Sequence, residues 1–249
     1  MNEVINQLKN RKSVRVYEER IIEAQIKKEI MNSAIEAPTA GGMMLYSIID
    51  VTDQAVKDKL AVLCDNQPFI AKAPLVLIFL ADYQRWYDTF VYEECNPRKP
   101  ESGDLLIAYT DAVIAAQNTV VAAESFGIGS CYIGDIMENC EEVRALLNLP
   151  EYVMPAAMLV YGYPTEGQKT RRKPARFEEE YVVFENTYRR IDKDEHKVMH
   201  QKREAKEGRE ITNVSGKIQA FCKRKYMSEF CKEMSRSANV YLKDFQVHR

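Results

Sequence analysis

The chain has 249 residues, 46% of them hydrophobic, and a formal net charge of −2. That much apolar material excludes a disordered protein, and the near-balanced charge excludes a general nucleic-acid binder, whose domain would be strongly basic. Six cysteines without a CxxC pair, and a start (Met1-Asn2-Glu3-Val4-Ile5-Asn6) lacking a basic-then-apolar leader, predict reduced thiols in a cytoplasmic protein with no structural metal site.

Residues 2–9 read as a short helix entering Arg11-Lys12-Ser13-Val14-Arg15, three cations around a hydroxyl. Guanidinium forks, an ammonium and a hydroxyl are the groups that grip a phosphate monoester, although such runs more often sit solvated on a surface. Ile26, Ile30, Met31, Ala34 and Ile35 mark one face of a helix over 23–37, which Pro38-Thr39-Ala40-Gly41-Gly42 ends. The same turn offers a hydroxyl and small residues at the mouth of a pocket. Residues 45–51 are strand-like and 54–63 helical; Gln67, before Pro68, reads locally as a surface amide. The run 75–81 is short and continuously apolar, the mark of a strand buried on both faces and too short to span a bilayer.

A helix over 83–94 and the loop 96–103 come next, with Ser102 or Asp104 as the cap of a long helix at 105–126. Its many alanines predict a central core helix, buried through its length. In the glycine-rich turn 127–134, Gly127 is expected to cap that helix in a left-handed conformation, and Gly129 to let bare backbone approach a flat ligand. The spacing fits neither G-x-G-x-x-G nor a P-loop. A helix over 141–147 and a buried strand over 153–161 precede a second cationic knot, Arg171-Arg172-Lys173-Pro174-Ala175-Arg176, in an aperiodic stretch at 164–180. Beyond it lie a densely charged helical stretch and an amphipathic segment over about 215–247. The three histidines (196, 200, 248) all fall in this last third, so the chemistry is expected from a cofactor rather than from a protein nucleophile or base. Helices mixed with short apolar strands give α+β or α/β.

Taken together these segments resemble the nitroreductase family of FMN-dependent oxidoreductases, within it the oxygen-insensitive NADPH nitroreductase and flavin reductase group. The likeness runs over residues 5–188. It is carried by Arg11-Lys12-Ser13-Val14-Arg15; by Ala37-Pro38-Thr39; by Asn66-Gln67 with Ala81-Asp82-Tyr83; by residues 116–129 followed by Tyr132-Ile133-Gly134; and by Lys173-Pro174-Ala175-Arg176-Phe177. The resemblance implies an α+β nitroreductase-like fold, a central, mostly antiparallel sheet flanked by helices, with an extended C-terminal helical arm. It implies an FMN-binding domain at 1–188 and an arm at 189–249 that wraps the partner of a homodimer.

By the same resemblance Arg11, Ser13, Lys173 and Arg176 hold the FMN phosphate, with Lys12 at the ribityl–phosphate region. The residue inserted at Ala175 leaves Arg172 or Lys173 for one of these contacts. Arg15 and Gln67 meet the pyrimidine edge of the isoalloxazine, Thr39 and Ala40 border the ring, and Gly129, Ser130 and Cys131 present backbone near N5. The implied activity is ping-pong hydride transfer from NAD(P)H through flavin N5 to nitroaromatics, quinones or related small-molecule oxidants, with no nucleic acid or membrane partner. The alternatives are a reductase supplying free reduced flavin and a flavin-binding protein without turnover. Where the family turn continues with a polar Ser/Asn-rich stretch, this chain departs from it with Ala40-Gly41-Gly42-Met43-Met44, which bears on the substrate pocket and not on FMN binding.

Overall fold

The computed structural model describes residues 2–209 and 213–246. They fall into two compact units, one of residues 1–171 and 233–249, the other of residues 172–232. The first holds helices α1 (Glu3–Asn10), α2 (Ala24–Ile35), α3 (Gln54–Leu63), α4 (Pro68–Ala71), α5 (Gln84–Tyr92), α6 (Ser102–Ser125), α7 (Cys140–Leu147) and α8 (Glu166–Thr170). Its strands are β1 (Tyr46–Asp50), β2 (Leu75–Asp82), β3 (Gly129–Ile133) and β4 (Val153–Gly162). They form one fully antiparallel sheet in the order β1-β2-β4-β3. The fold class is α+β.

The unbroken apolar runs at β2 and β4 follow from burial on both sides. On β2, Val76, Ile78 and Leu80 face one cluster with Leu60, Ile70 and Val143 of the α3, α4 and α7 layer. Leu75, Leu77 and Phe79 face the opposite cluster with Ile30 of α2 and Ala112, Ala116 and Ala123 of α6. Side chains alternate across a strand, so a central strand between two helical layers must be apolar at every position. β4 repeats the division, Met158 and Val160 on one side, Leu159 and Tyr161 on the other.

Three expectations are corrected. α6 is not buried all round: the buried set Leu105, Ala108, Ala112, Ala115, Ala116, Thr119, Val120 and Ala123 keeps helical spacing, while Leu106 and Ile107 are exposed. Its cap is neither Ser102 nor Asp104 alone. Glu101 is the N-cap in a reciprocal capping box, with the Asp104 carboxylate accepting from the Glu101 N–H at 2.8 Å. The glycine-rich turn also contains a strand, β3, whose five residues are too few for periodicity to reveal. Gly127 does end α6 in a left-handed conformation, at φ +70°.

The second unit holds α9 (Lys193–Lys206), α10 (Val214–Phe221) and a single π-helical turn at Cys222–Tyr226. α11 (Glu229–Lys243) begins there, and its residues from Glu233 onward belong to the first unit, where Tyr241 and Phe245 pack with Leu45, Leu105 and Tyr152. Val247, the end expected for the amphipathic segment, lies outside the described residues.

Candidate functional site

β3 is the edge strand next to β4, and the segment after α1 is laid against its free side. Ser13 and Ser130 form a parallel bridge, with the Val14 N–H donating to the Ser130 carbonyl at 2.9 Å. Further along, the Glu18 N–H donates to the Tyr163 carbonyl at 2.8 Å. The first cationic segment and the glycine-rich turn, far apart in sequence, therefore share one sheet edge.

Gly129 makes this approach possible. A Cβ on it would stand 2.4 Å from Val14 Cγ2 and 2.8 Å from Val14 Cβ. Rotating Val14 moves its methyls but not its Cβ, so the backbones themselves would have to part. Gly129→Ala is therefore expected to cost about 1–3 kcal/mol, as overpacking does. Val14→Ala should fail to rescue it and Val14→Gly should succeed, read as urea midpoints. Equal stability of Gly129→Ala and the parent chain would refute the contact.

Around this seam the cations take distinct places. The Lys12 ammonium donates to the carbonyls of Lys169 and Arg171 at 2.5 and 2.6 Å, closing the end of α8. Arg171 donates to the Ser13 carbonyl. The Arg11 Nε is buried and, like the Ser130 Oγ, has no hydrogen-bond partner. An orphaned guanidinium N–H is costly unless a ligand accepts from it. Burial pushes the neighbouring Tyr132 phenol up to about 12, against the pull of Arg11. Arg15 is exposed, its guanidinium 5.7 Å from the Phe69 ring centroid, at one wall of a groove of about 940 Å³ shared with Tyr17, Arg20, Pro68 and Phe69.

Two candidate residues are committed to the scaffold in ways the sequence did not disclose. The Thr39 hydroxyl donates to Asp111 and accepts from the Met44 N–H at 2.8 Å, so it is spent on holding its own turn. Asp111, nearly fully buried on α6, also accepts from the Ala40 N–H at 3.1 Å and the Leu45 N–H at 3.2 Å. One carboxylate thus fixes the whole Thr39–Leu45 turn. The signal was available, because Asp111 is the one charged residue between Leu105 and Ala123. Gln67 is no loose surface amide: its NH₂ donates to the Cys64 carbonyl at 2.8 Å and to Asp135 at 3.0 Å. Cys131 is fully buried and packs in the core, its thiol directed at the Tyr132 carbonyl.

Arg11, Lys12, Ser13, Arg15, Thr39, Ala40, Gln67, Gly129, Ser130 and Cys131 all lie in the first unit. Lys173 and Arg176 lie in the second. There the Arg172 guanidinium donates to the Lys206 carbonyl, and Phe177 is flanked by His200 and Arg203 at 5.3 and 4.5 Å.

A cationic, donor-rich seam with an orphaned guanidinium N–H, closed by a glycine that admits backbone, fits a flat ligand carrying a phosphate. Comparison with known proteins agrees. An FMN reductase (NADPH) of Bacillus subtilis (strain 168) is 31% identical, covering 96% of this chain and 100% of that protein. A Cr(VI) reductase of Pseudomonas sp. (strain G-1) is 35% identical over 73% of each chain. The structure of the NADPH:FMN oxidoreductase of Vibrio harveyi, complexed with NAD+, superposes with a TM-score of 0.78 at 27% identity, covering 97% of this chain and 98% of that one. The sequence profile of the Nitroreductase family matches residues 8–163, and the chain belongs to that family.

Proposed function

We propose that this chain is an FMN-dependent NAD(P)H oxidoreductase acting on small-molecule oxidants such as nitroaromatics and quinones. The observation that carries the proposal is the seam at Val14 and Ser130, which brings the cationic segment and the glycine-rich edge together. FMN, when bound, supplies the hydride and electron chemistry, accepting from NAD(P)H and passing electrons to the oxidant. The chain's own residues bind and orient. Arg11 and Ser13 hold the phosphate, and Lys12 is placed at the ribityl–phosphate region. Arg15 and Gln67 address the pyrimidine edge, a cation there favouring negative charge on the ring. Thr39 and Ala40 border it, and Gly129, Ser130 and Cys131 contribute backbone not already paired with β4 or Val14.

The working form in this reading is a cytoplasmic homodimer, with the part of the 189–249 arm that precedes Glu233 wrapping the partner, since Tyr241 and Phe245 pack in the first unit of their own chain. The large apolar side chains exposed at Leu106 and Ile107 on α6, and at Val4 and Ile5 on α1, support it as surface that a partner would cover. The test is anaerobic. Protein loaded with FMN is mixed with NADPH or NADH, its visible flavin absorption followed, and the bleached protein challenged with nitroaromatics, quinones, chromate and free flavin. Chromate is included because of the Cr(VI) reductase relative. Bleaching, reoxidation by the panel, and sedimentation as a dimer are expected. Yellow protein that neither nucleotide bleaches would make it a flavin carrier without turnover, and reoxidation by free flavin alone would make it a flavin reductase.

A further inference from the structure

Gln67 hydrogen-bonds in only one sense. A carboxamide can usually exchange its oxygen and nitrogen with little change in shape, so its orientation is set by its neighbours. Here both neighbours of the nitrogen, the Cys64 carbonyl at 2.8 Å and the Asp135 carboxylate at 3.0 Å, can only accept. Turning the amide over would set its oxygen against two acceptors. Both N–H bonds are therefore consumed by the protein, and the Gln67 oxygen is what remains to offer.

The backbone holds the arrangement on both sides. Asp65 and Asn66 are left-handed, at φ +60° and +52°, and the Gln67 N–H donates to the Ala61 carbonyl at 2.8 Å, so the 64–67 turn has one course. Asp135 sits in the 3₁₀ turn Gly134–Met137 directly after β3, closed by the Glu138 N–H donating to its carbonyl at 3.0 Å. Asp135 thereby ties α4's leading residue to the glycine-rich edge.

We infer that Asp135 is a positioning residue: it fixes the Gln67 side chain so that an acceptor, not a donor, meets the flavin's pyrimidine edge. That edge carries one N–H between two carbonyls, so a fixed acceptor selects the N–H and a turned amide would not. This inference rests on the reading of Gln67 as a flavin contact.

A double-mutant cycle on the full-length chain separates the two. FMN affinity is measured by quenching of FMN fluorescence, and the bound flavin's absorption bands are recorded, for the parent chain, Gln67→Ala, Asp135→Ala, Asp135→Asn and Gln67→Ala/Asp135→Ala. Asp135→Ala is expected to weaken FMN binding about tenfold and to shift the bands, one hydrogen bond to a charged group being at stake. The same change made on Gln67→Ala should do neither. Asp135→Asn keeps an acceptor oxygen and should stay within about threefold of the parent, which keeps the test decisive even if Asp135→Ala does not fold. Equal losses from Asp135→Ala in both backgrounds, or a tenfold loss in Asp135→Asn with no band shift, would overturn the positioning role alone. Unchanged affinity and bands in Gln67→Ala would overturn the flavin reading of Gln67, and the role of Asp135 with it.

Discussion

Asp111→Ala is expected to lower the unfolding free energy by about 3–4 kcal/mol, a large part of the stability of a domain this size. The carboxylate serves the Ala40 N–H, the Leu45 N–H and the Thr39 hydroxyl, and alanine supplies no acceptor to any of them. Unsatisfied buried donors cost the full loss of their hydration, which makes the deletion worse than the mean value of a hydrogen bond suggests. Asp111→Asn should recover about half, because its one oxygen can serve part of the turn while its NH₂ faces donors. Chemical denaturation gives the numbers, with Asp58→Ala as the exposed control, expected within about 0.5 kcal/mol of the parent. FMN affinity should fall with Asp111→Ala as well, since Thr39 and Ala40 lose their anchor. A loss no larger than that of Asp58→Ala would show that the turn holds itself.

Glu138→Gln is expected to stabilise the protein, and to do so more as pH rises. Glu138 is almost fully buried with one carboxylate oxygen unpartnered. Burial pushes its carboxyl up to about 8, helped by the negative charges of Asp135, Asp65 and Glu233. Glu233, by contrast, is held down at about 2 by hydrogen bonds from Arg236 and Ser237, so it keeps its charge while Glu138 keeps its proton. In the unfolded chain Glu138 ionises near its ordinary value, between 4 and 5, whereas in the folded chain it retains its proton up to about 8. Between those values the folded state binds more protons than the unfolded state, so this group lowers stability progressively with rising pH. Glutamine lacks the titration. The gain of the variant should be close to zero at pH 4, about 3 kcal/mol at pH 7, and level above pH 8. Parallel stability curves for the two proteins across that range would exclude the buried-acid account.

Most of the scaffold could be read from the residues because its signals are local. The apolar runs of β2 and β4 require two covering layers, and the heptad-like spacing in α2 and the 24-residue α6 supplies one of them. β3 escaped because a five-residue edge strand between glycines shows no period, and only its pairing with β4 and Val14 defines it. The alanine content of α6 reports small size, not which sides are covered, and its uncovered side carries Leu106 and Ile107. At the candidate site, residue types were legible and commitments were not. Nothing local to Thr39 or Gln67 announces that Asp111 and Asp135 occupy their donors, because those contacts join residues about seventy positions apart.

The pairing of Val14 with Ser130 also bears on when the pocket can exist during synthesis. The cationic segment leaves the ribosome early, but the strand it must lie against is made much later. At chain elongation of roughly 5–20 residues per second, the interval is on the order of ten seconds. Closing so long a loop carries an entropic cost that only the assembled sheet and α6 can offset. The nascent chain thus has no place for a flavin until β3 and β4 have been made, and loading must follow assembly of that sheet edge. The flavin can then join a sheet edge already formed, but it cannot template the pairing that makes it.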